Sequence, residues 1–239
     1  MNIVDFLELV PYKYGNVSIE AIPYSMTRIG RAMTSRTLLY FPIVHSQTDM
    51  GGLSDSVRKV TLQKLGERVW RQKVNLIGRF WCEIENIIDT LSLSYVQTRV
   101  YQDGLPVCGK EIDIVTEIAK KGSPNHLLLA RLMKKGAMVM GTESAELLIE
   151  EYNLIKRTLE AGNVQEALDI EAMQKAASAL LLAKRDTFIA ERIAQTLQSG
   201  ETGILFLGIL HNLAGLLPED IHVLYPINRP LDKRGKQYG

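Results

Sequence analysis

Short apolar runs alternate with long stretches of helical periodicity along this chain. Most of the short runs lack the alternation of a half-exposed strand, which is typical of strands that are buried on both faces of a sheet. One run, residues 95–101, does alternate apolar and polar positions and is also predicted to be a strand. The predicted strands are residues 37–44, 95–101, 137–140, 203–210 and 221–225.

Between these runs, apolar residues recur every three to five positions, which is the spacing of an amphipathic helix. The longest such pattern covers residues 57–91, and another covers residues 164–197 with at most one break. Ser123 followed by Pro124 predicts a capped helix start, and Gly122 predicts the end of the helix before it. The remaining predicted helices are residues 111–121, 124–136 and 146–159.

Strands and helices that alternate in this way indicate an α/β fold. We expect a central, mostly parallel sheet with helices on both faces and long helical insertions. No internal repeat or Pro/Ser-rich linker divides the chain, so residues 1–228 are predicted to form a single α/β domain. The polar residues 229–239 are predicted to form a flexible C-terminal tail.

Composition narrows the class of protein. The chain has 239 residues, 46% apolar and 23% charged, which is typical of a folded protein with its own core. Its formal net charge of +1 offers no basic excess for nucleic acid. The N-terminus has no signal-peptide pattern, and residues 203–218, the most apolar stretch, fall short of the about 20 residues that cross a bilayer. We therefore expect a cytoplasmic protein with no nucleic-acid partner and no membrane span.

Reactive side chains follow four of the predicted strands. His45 follows the first, Asp103 the second, Glu143 the third and His211 the fourth. In parallel sheets, ligands bind at the carboxyl ends of strands, so these side chains are expected to meet in one crevice. Two imidazoles and two carboxylates suit either a divalent metal site or general acid–base hydrolysis. No pattern for a nucleotide cofactor is present.

Each of these residues also has a purely structural interpretation. A histidine at a strand end is often structural or merely exposed, and Asp103 precedes a glycine in a turn. Glu143 could cap the helix that follows it, because carboxylates favour helix N-termini. Arg185 and its neighbour Asp186 could lie on a solvated helix face.

The order of these motifs resembles the EreA/ChaN/TraB-like superfamily, which unites erythromycin esterases, ChaN haem-binding proteins and the TraB/PrgY/Tiki group. Its hallmarks are two Gly-x-x-His motifs and an intervening glutamate, with a helical Arg-Asn or similar pair before the second Gly-x-x-His. The second motif is matched by 208–211, and the glutamate motif by Gly-Thr-Glu at 141–143. The first motif departs from the pattern, because Pro42 stands where the superfamily has the glycine before His45.

The resemblance implies roles for individual residues. His45, Glu143 and His211 would line the site directly, and Asp103 could join them. Arg185 would hold Glu143 or an anionic group, with Asp186 as its partner or as a supporting group. A divalent transition metal (zinc, manganese, cobalt or iron) would be held by His45, His211, Asp103 and Glu143.

These observations favour a hydrolase of amide, peptide or ester bonds, in which Glu143, Arg185 and His45 are the catalytic candidates. The general base would be His45 or Glu143, and the substrate a small molecule or peptide of unknown identity. Two other interpretations stay open. The chain could be a ligand-binding or signalling module that keeps the fold without catalysis, or residues 57–91 could form an interface with a partner or in a homo-oligomer.

Overall fold

The computed structural model describes residues 35–227. The predicted tail at 229–239, and residue 228 and the first 34 residues of the predicted domain, lie outside the described residues. Within residues 35–227, five strands form one sheet, and every neighbouring pair is parallel. The prediction of an α/β fold built on a parallel sheet is confirmed.

The sheet has the strand order β3-β2-β4-β1-β5. Because β4 lies between β1 and β2, strands that are far apart in sequence have adjacent carboxyl ends. The strands are β1 (Arg36–Ile43), β2 (Thr98–Gln102), β3 (Met138–Met140), β4 (Thr202–Gly208) and β5 (Ile221–Leu224).

Five α-helices connect the described strands. They are α1 (Ser54–Thr90), α2 (Glu111–Lys120), α3 (Pro124–Lys134), α4 (Ala145–Leu159) and α5 (Val164–Thr196). Two short 3-10 helices cover Gln47–Leu53 and Tyr95–Gln97. The helix α5 runs without a break. The helix α1 has a non-helical residue at Gly66, whose φ of 75° lies in the left-handed region that favours glycine.

Apolar side chains fill both faces of the sheet. On one face, Phe41 and Phe206 pack with α1, α2 and α3, and on the other face, Tyr40 and Leu205 pack with the C-terminal half of α5. Successive residues of a strand point to opposite faces, so a strand covered on both sides has no polar face. This arrangement explains the unbroken apolar runs in the sequence.

The structure corrects one predicted strand. Residues 95–97 form a 3-10 turn, and β2 begins only at Thr98. Val96 is 81% exposed, so its alternation with Thr98 did not reflect burial in a sheet.

The apolar face of the long helix α1 is largely used within the chain. Phe80, Trp81, Ile84 and Ile88 of its C-terminal half are buried in the core beside the sheet. None of the helices described in residues 35–227 is long and apolar enough to span a bilayer.

Candidate functional site

The strand order gathers the predicted site residues at one edge of the sheet. His45 follows β1, Asp103 follows β2, and His211 follows β4 by three residues. These strands are neighbours and parallel, so their carboxyl ends open onto the same crevice. The structure therefore brings His45, Asp103, Glu143 and His211 into one cluster, together with Arg185 from α5.

Asp103 lies at the centre of this cluster. Its Oδ2 lies 2.9 Å from His45 Nε2 and 3.6 Å from His211 Nε2, and it accepts a 2.8 Å hydrogen bond from the Gly208 amide. Its Oδ1 accepts a 2.9 Å hydrogen bond from Arg185 Nη2. The carboxylate thus contacts or approaches both imidazoles and the guanidinium.

Arg185 joins three carboxylates through a side chain that is only 4% exposed. It donates to Glu143 from Nε and Nη2 at 2.6 and 2.7 Å, to Asp103 from Nη2, and to Glu151 from Nη1 at 2.6 Å. The planar guanidinium suits such a two-point contact with a carboxylate. The interpretation of Arg185 and Asp186 as a solvated helix face is wrong, because both residues are buried.

Glu143 is the most deeply buried carboxylate of the cluster, with no exposed surface. Both of its oxygens accept hydrogen bonds from Arg185, and Oε1 also accepts one from the Gly104 amide at 2.8 Å. Ser144, not Glu143, caps α4, since its hydroxyl accepts a hydrogen bond from the Leu147 amide. Glu143 is therefore fixed by Arg185 and by the turn after β2.

His211 is held by Asp186 rather than by Arg185. Its Nδ1 lies 2.5 Å from Asp186 Oδ1, and Asp186 Oδ2 accepts a hydrogen bond from the Asn212 amide. When Nδ1 donates to a carboxylate, Nε2 is the ring nitrogen on the side away from that contact. That nitrogen is the one that lies 3.6 Å from Asp103.

The proton affinities of the cluster follow from burial and charge. Burial alone would lower the pKa of His45, but the Asp103 carboxylate outweighs burial and raises that pKa to about 9. Burial likewise opposes ionisation of Asp103, yet His45, His211 and Arg185 hold its pKa well below the usual range. Burial raises the pKa of Glu143 against the opposing effect of Arg185. Without a bound metal, His45 is therefore an imidazolium at neutral pH, paired with an ionised Asp103.

Gly208 permits the close approach of Asp103 to the end of β4. A Cβ at this position would lie 2.8 Å from Asp103 Oδ2 and 3.6 Å from both His45 Nε2 and His211 Cδ2. The glycine of the Gly-x-x-His segment thus leaves room for the carboxylate and donates its amide to it.

A cavity of about 240 Å³ opens onto this cluster. His45, Asp103, Arg185 and His211 line it, whereas Glu143 is absent from its described lining. Gln102 also lines the cavity, and its Oε1 is buried without a hydrogen-bond partner among the described residues. The rest of the lining is mostly aliphatic.

A second polar group that the sequence did not reveal lies beside the same cavity. His126 Nδ1 is 2.9 Å from Ser123 Oγ and 3.3 Å from Asp49 Oδ1, and Ser123 donates to Asp49 at 2.5 Å. Ser123 is fully buried and caps α3, so its hydroxyl has a structural role. His126 and Asp49 line the cavity.

The sequence analysis also did not predict Glu151 as a site residue. It lies on α4, eight residues after Glu143, and contacts Arg185. In the sequence nothing distinguishes it from Glu150 beside it.

Asp103, Glu143 and His211 could hold a metal ion. One ligand atom from each lies within 4.8 Å of the other two, and all three residues are buried. Carboxylate and imidazole donors suit several divalent transition metals. The Arg185 guanidinium contacts the Asp103 and Glu143 carboxylates of this group, whereas Asp186 pairs with His211. The donor set therefore fits a divalent cation.

No family model matches the chain, and no curated protein or solved structure matches it with significance.

Proposed function

We propose that this protein is a hydrolase of amide, peptide or ester bonds. One observation carries the proposal. Two imidazoles and a guanidinium converge on the Asp103 carboxylate at the wall of a cavity, where the carboxyl ends of adjacent parallel strands meet. The resemblance of these segments to the EreA/ChaN/TraB-like superfamily, which includes esterases, supports the same chemistry.

The two histidines differ in environment, which suits opposite roles in proton transfer. His211, oriented by Asp186, would use Nε2 to take a proton from water as the water oxygen attacks the substrate carbonyl. His45, held as an imidazolium by Asp103, would donate its proton to the leaving nitrogen or oxygen when the tetrahedral intermediate breaks down.

Arg185 and Glu143 would be positioning residues in this scheme. The Nε, Nη1 and Nη2 of Arg185 already donate to carboxylates, so it would fix Asp103 rather than bind the developing oxyanion. Glu143, whose oxygens are both hydrogen-bonded, would anchor Arg185. These roles differ from the expectation that Glu143 is the base.

A metal-dependent form of the same chemistry is favoured by the buried group of Asp103, Glu143 and His211. These three residues would hold a zinc, manganese, cobalt or iron ion, and His45 would orient Asp103 through its hydrogen bond to Oδ2. When bound, such an ion supplies Lewis-acid activation of water. Arg185 would then limit the negative charge of the ligand set.

The test is hydrolysis of p-nitrophenyl esters and amino-acid p-nitroanilides by wild-type protein and by the His45→Ala/His211→Ala variant, each with chelator or added metal. A His222→Ala variant, altered at an exposed histidine on β5, is the matched control. We expect turnover in the wild type and the control and a loss of at least about 100-fold in the double variant. Loss of wild-type turnover in chelator alone would identify the metal-dependent form. Equal turnover in the double variant, or none in any protein, would reject the hydrolase and favour a non-catalytic binding module.

A further inference from the structure

The cavity beside Asp103 has a lining divided into polar and aliphatic parts. The polar part consists of the groups around Asp103 and the Asp49–His126 pair. Helices α2 and α4 supply aliphatic side chains at helical spacing, Ile114 and Ile118 from α2 and Leu148 and Ile155 from α4. Because residues four or seven apart lie on one face of a helix, each helix presents an aliphatic face to the cavity.

The core covers these aliphatic side chains only in part, although Ile114 and Ile155 also pack against neighbouring core clusters. Ile118, Leu148 and Ile155 are only half-buried, although each lines the cavity. Filling the cavity with an apolar group would remove their surface from water, which is favourable by about 25 cal/mol per Å². The cavity is therefore suited to an apolar ligand part, and the Asp103 cluster to a polar one.

The residue types that line the cavity favour an alkyl chain over an aromatic ring. Branched aliphatic side chains predominate, and apart from the histidines of the polar part, Tyr152 is the sole residue with an aromatic ring among the described lining residues. The volume of about 240 Å³ accommodates about eight groups the size of a water molecule, at about 30 Å³ each. Because that volume includes the polar part of the cavity, it sets an upper limit of about eight carbons for the acyl chain, the carbonyl carbon included.

We propose that the substrate carries a medium-length aliphatic acyl chain, which binds between α2 and α4 while its carbonyl group meets the Asp103 cluster. This inference deepens the proposed hydrolase function and rests on it for the reaction, but not for the binding. Hydrolysis would add water across the acyl bond and release a fatty acid and an alcohol or amine.

Two chain-length series test the proposal. In the first, kcat/KM is measured for p-nitrophenyl acetate, butyrate, octanoate and laurate. In the second, calorimetry measures the binding of 1-butanol, 1-hexanol and 1-octanol, which cannot be hydrolysed. We expect both quantities to rise up to about fourfold per methylene as far as eight carbons, and laurate to show no further gain.

Variants of Ile118 connect this trend to the cavity. Ile118→Trp fills the cavity and should move the acyl-chain length with the highest kcat/KM to four carbons or fewer. Ile118→Ala enlarges the cavity and should raise kcat/KM for laurate relative to octanoate. Ile112→Trp, at a 60% exposed position on the same helix, is the matched control and should leave the optimum unchanged.

The outcomes separate this proposal from the hydrolase function. Alcohols that bind with the expected length dependence, without hydrolysis of any ester, would support the cavity and reject the reaction. Hydrolysis without a chain-length optimum, or an optimum that neither Ile118 variant moves, would overturn the acyl site and leave the reaction standing. Weak, length-independent alcohol binding would also overturn it.

Discussion

Asp186 Oδ1 lies 2.5 Å from His211 Nδ1, although the two residues come from different elements of the fold. Asp186 lies on α5 beside Arg185, and His211 lies in the loop after β4. One helix therefore supplies two adjacent residues with different partners. Arg185 contacts the carboxylates, and Asp186 orients the imidazole. This relationship makes the orientation of His211 testable separately from its presence.

Replacing Asp186 by asparagine should impair catalysis more than stability. The asparagine can still contact His211, but it no longer fixes Nδ1 as the protonated ring nitrogen. We expect kcat for a p-nitrophenyl ester to fall by about 100-fold or more with a small change in KM. Steady-state assays that follow the absorbance of released p-nitrophenol measure both constants. The Asp169→Asn variant, at an exposed position on the same helix, is the control. An unchanged kcat would exclude His211 as the oriented base.

Replacing Arg185 by methionine should strongly destabilise the fold. The change leaves Glu143 buried without its cation and removes one of the two cations that contact Asp103, and removing one partner of a buried ion pair costs about 3–5 kcal/mol. Urea unfolding followed by circular dichroism measures the loss. Lys184→Met, at the exposed neighbouring position, should change the free energy of unfolding by less than about 0.5 kcal/mol. Equal effects of the two changes would contradict the buried network.

Replacing Gly208 by alanine should disturb the site directly. The added methyl group would lie 2.8 Å from Asp103 Oδ2, so either the carboxylate or the end of β4 must move. We expect a loss of about 1–3 kcal/mol of stability together with a loss of activity. Gly78→Ala is the matched control, because that helical glycine has open space around its Cβ position and alanine favours helices. Activity retained in Gly208→Ala would show that the approach of Asp103 is not required.

The ion pair of His45 and Asp103 predicts a pH dependence of stability. The pKa of His45 is raised from 6.5 to about 9. The contribution of the ion pair to the free energy of unfolding is therefore fully present below pH 6.5 and is lost as the pH rises to about 9. The contribution is at most about 3 kcal/mol, since each pKa unit corresponds to 1.36 kcal/mol. Chelator-treated wild-type protein should therefore lose stability between pH 6.5 and 9 relative to His45→Gln. Parallel curves for the two proteins would contradict the pair.

Much of the site could be predicted because its geometry follows from the topology. His45, Asp103 and His211 each come directly or shortly after an apolar run, and a parallel sheet places such positions at one edge. The sequence pattern therefore identified both the strands and the residues at their ends.

Other features depend on contacts that no local pattern records. The Asp49–His126 pair joins residues 77 positions apart, and Glu151 differs from Glu150 only in the face of α4 on which it lies. The partner of Asp186 could not be inferred either, because adjacency to Arg185 in the sequence suggested an ion pair that does not form. The alternation at residues 95–97 predicted a strand where the chain makes a 3-10 turn.

The most direct test of the account is the hydrolysis of p-nitrophenyl octanoate by the Asp103→Asn variant. This change keeps the size of the side chain but removes the charge that pairs with His45 and Arg185. Asp113→Asn, at an exposed position on α2, is the control, and circular dichroism confirms folding of each protein. The account predicts that kcat/KM falls by at least about 100-fold in Asp103→Asn and is unchanged in Asp113→Asn. Wild-type kcat/KM in a folded Asp103→Asn protein would contradict a hydrolytic site centred on this carboxylate.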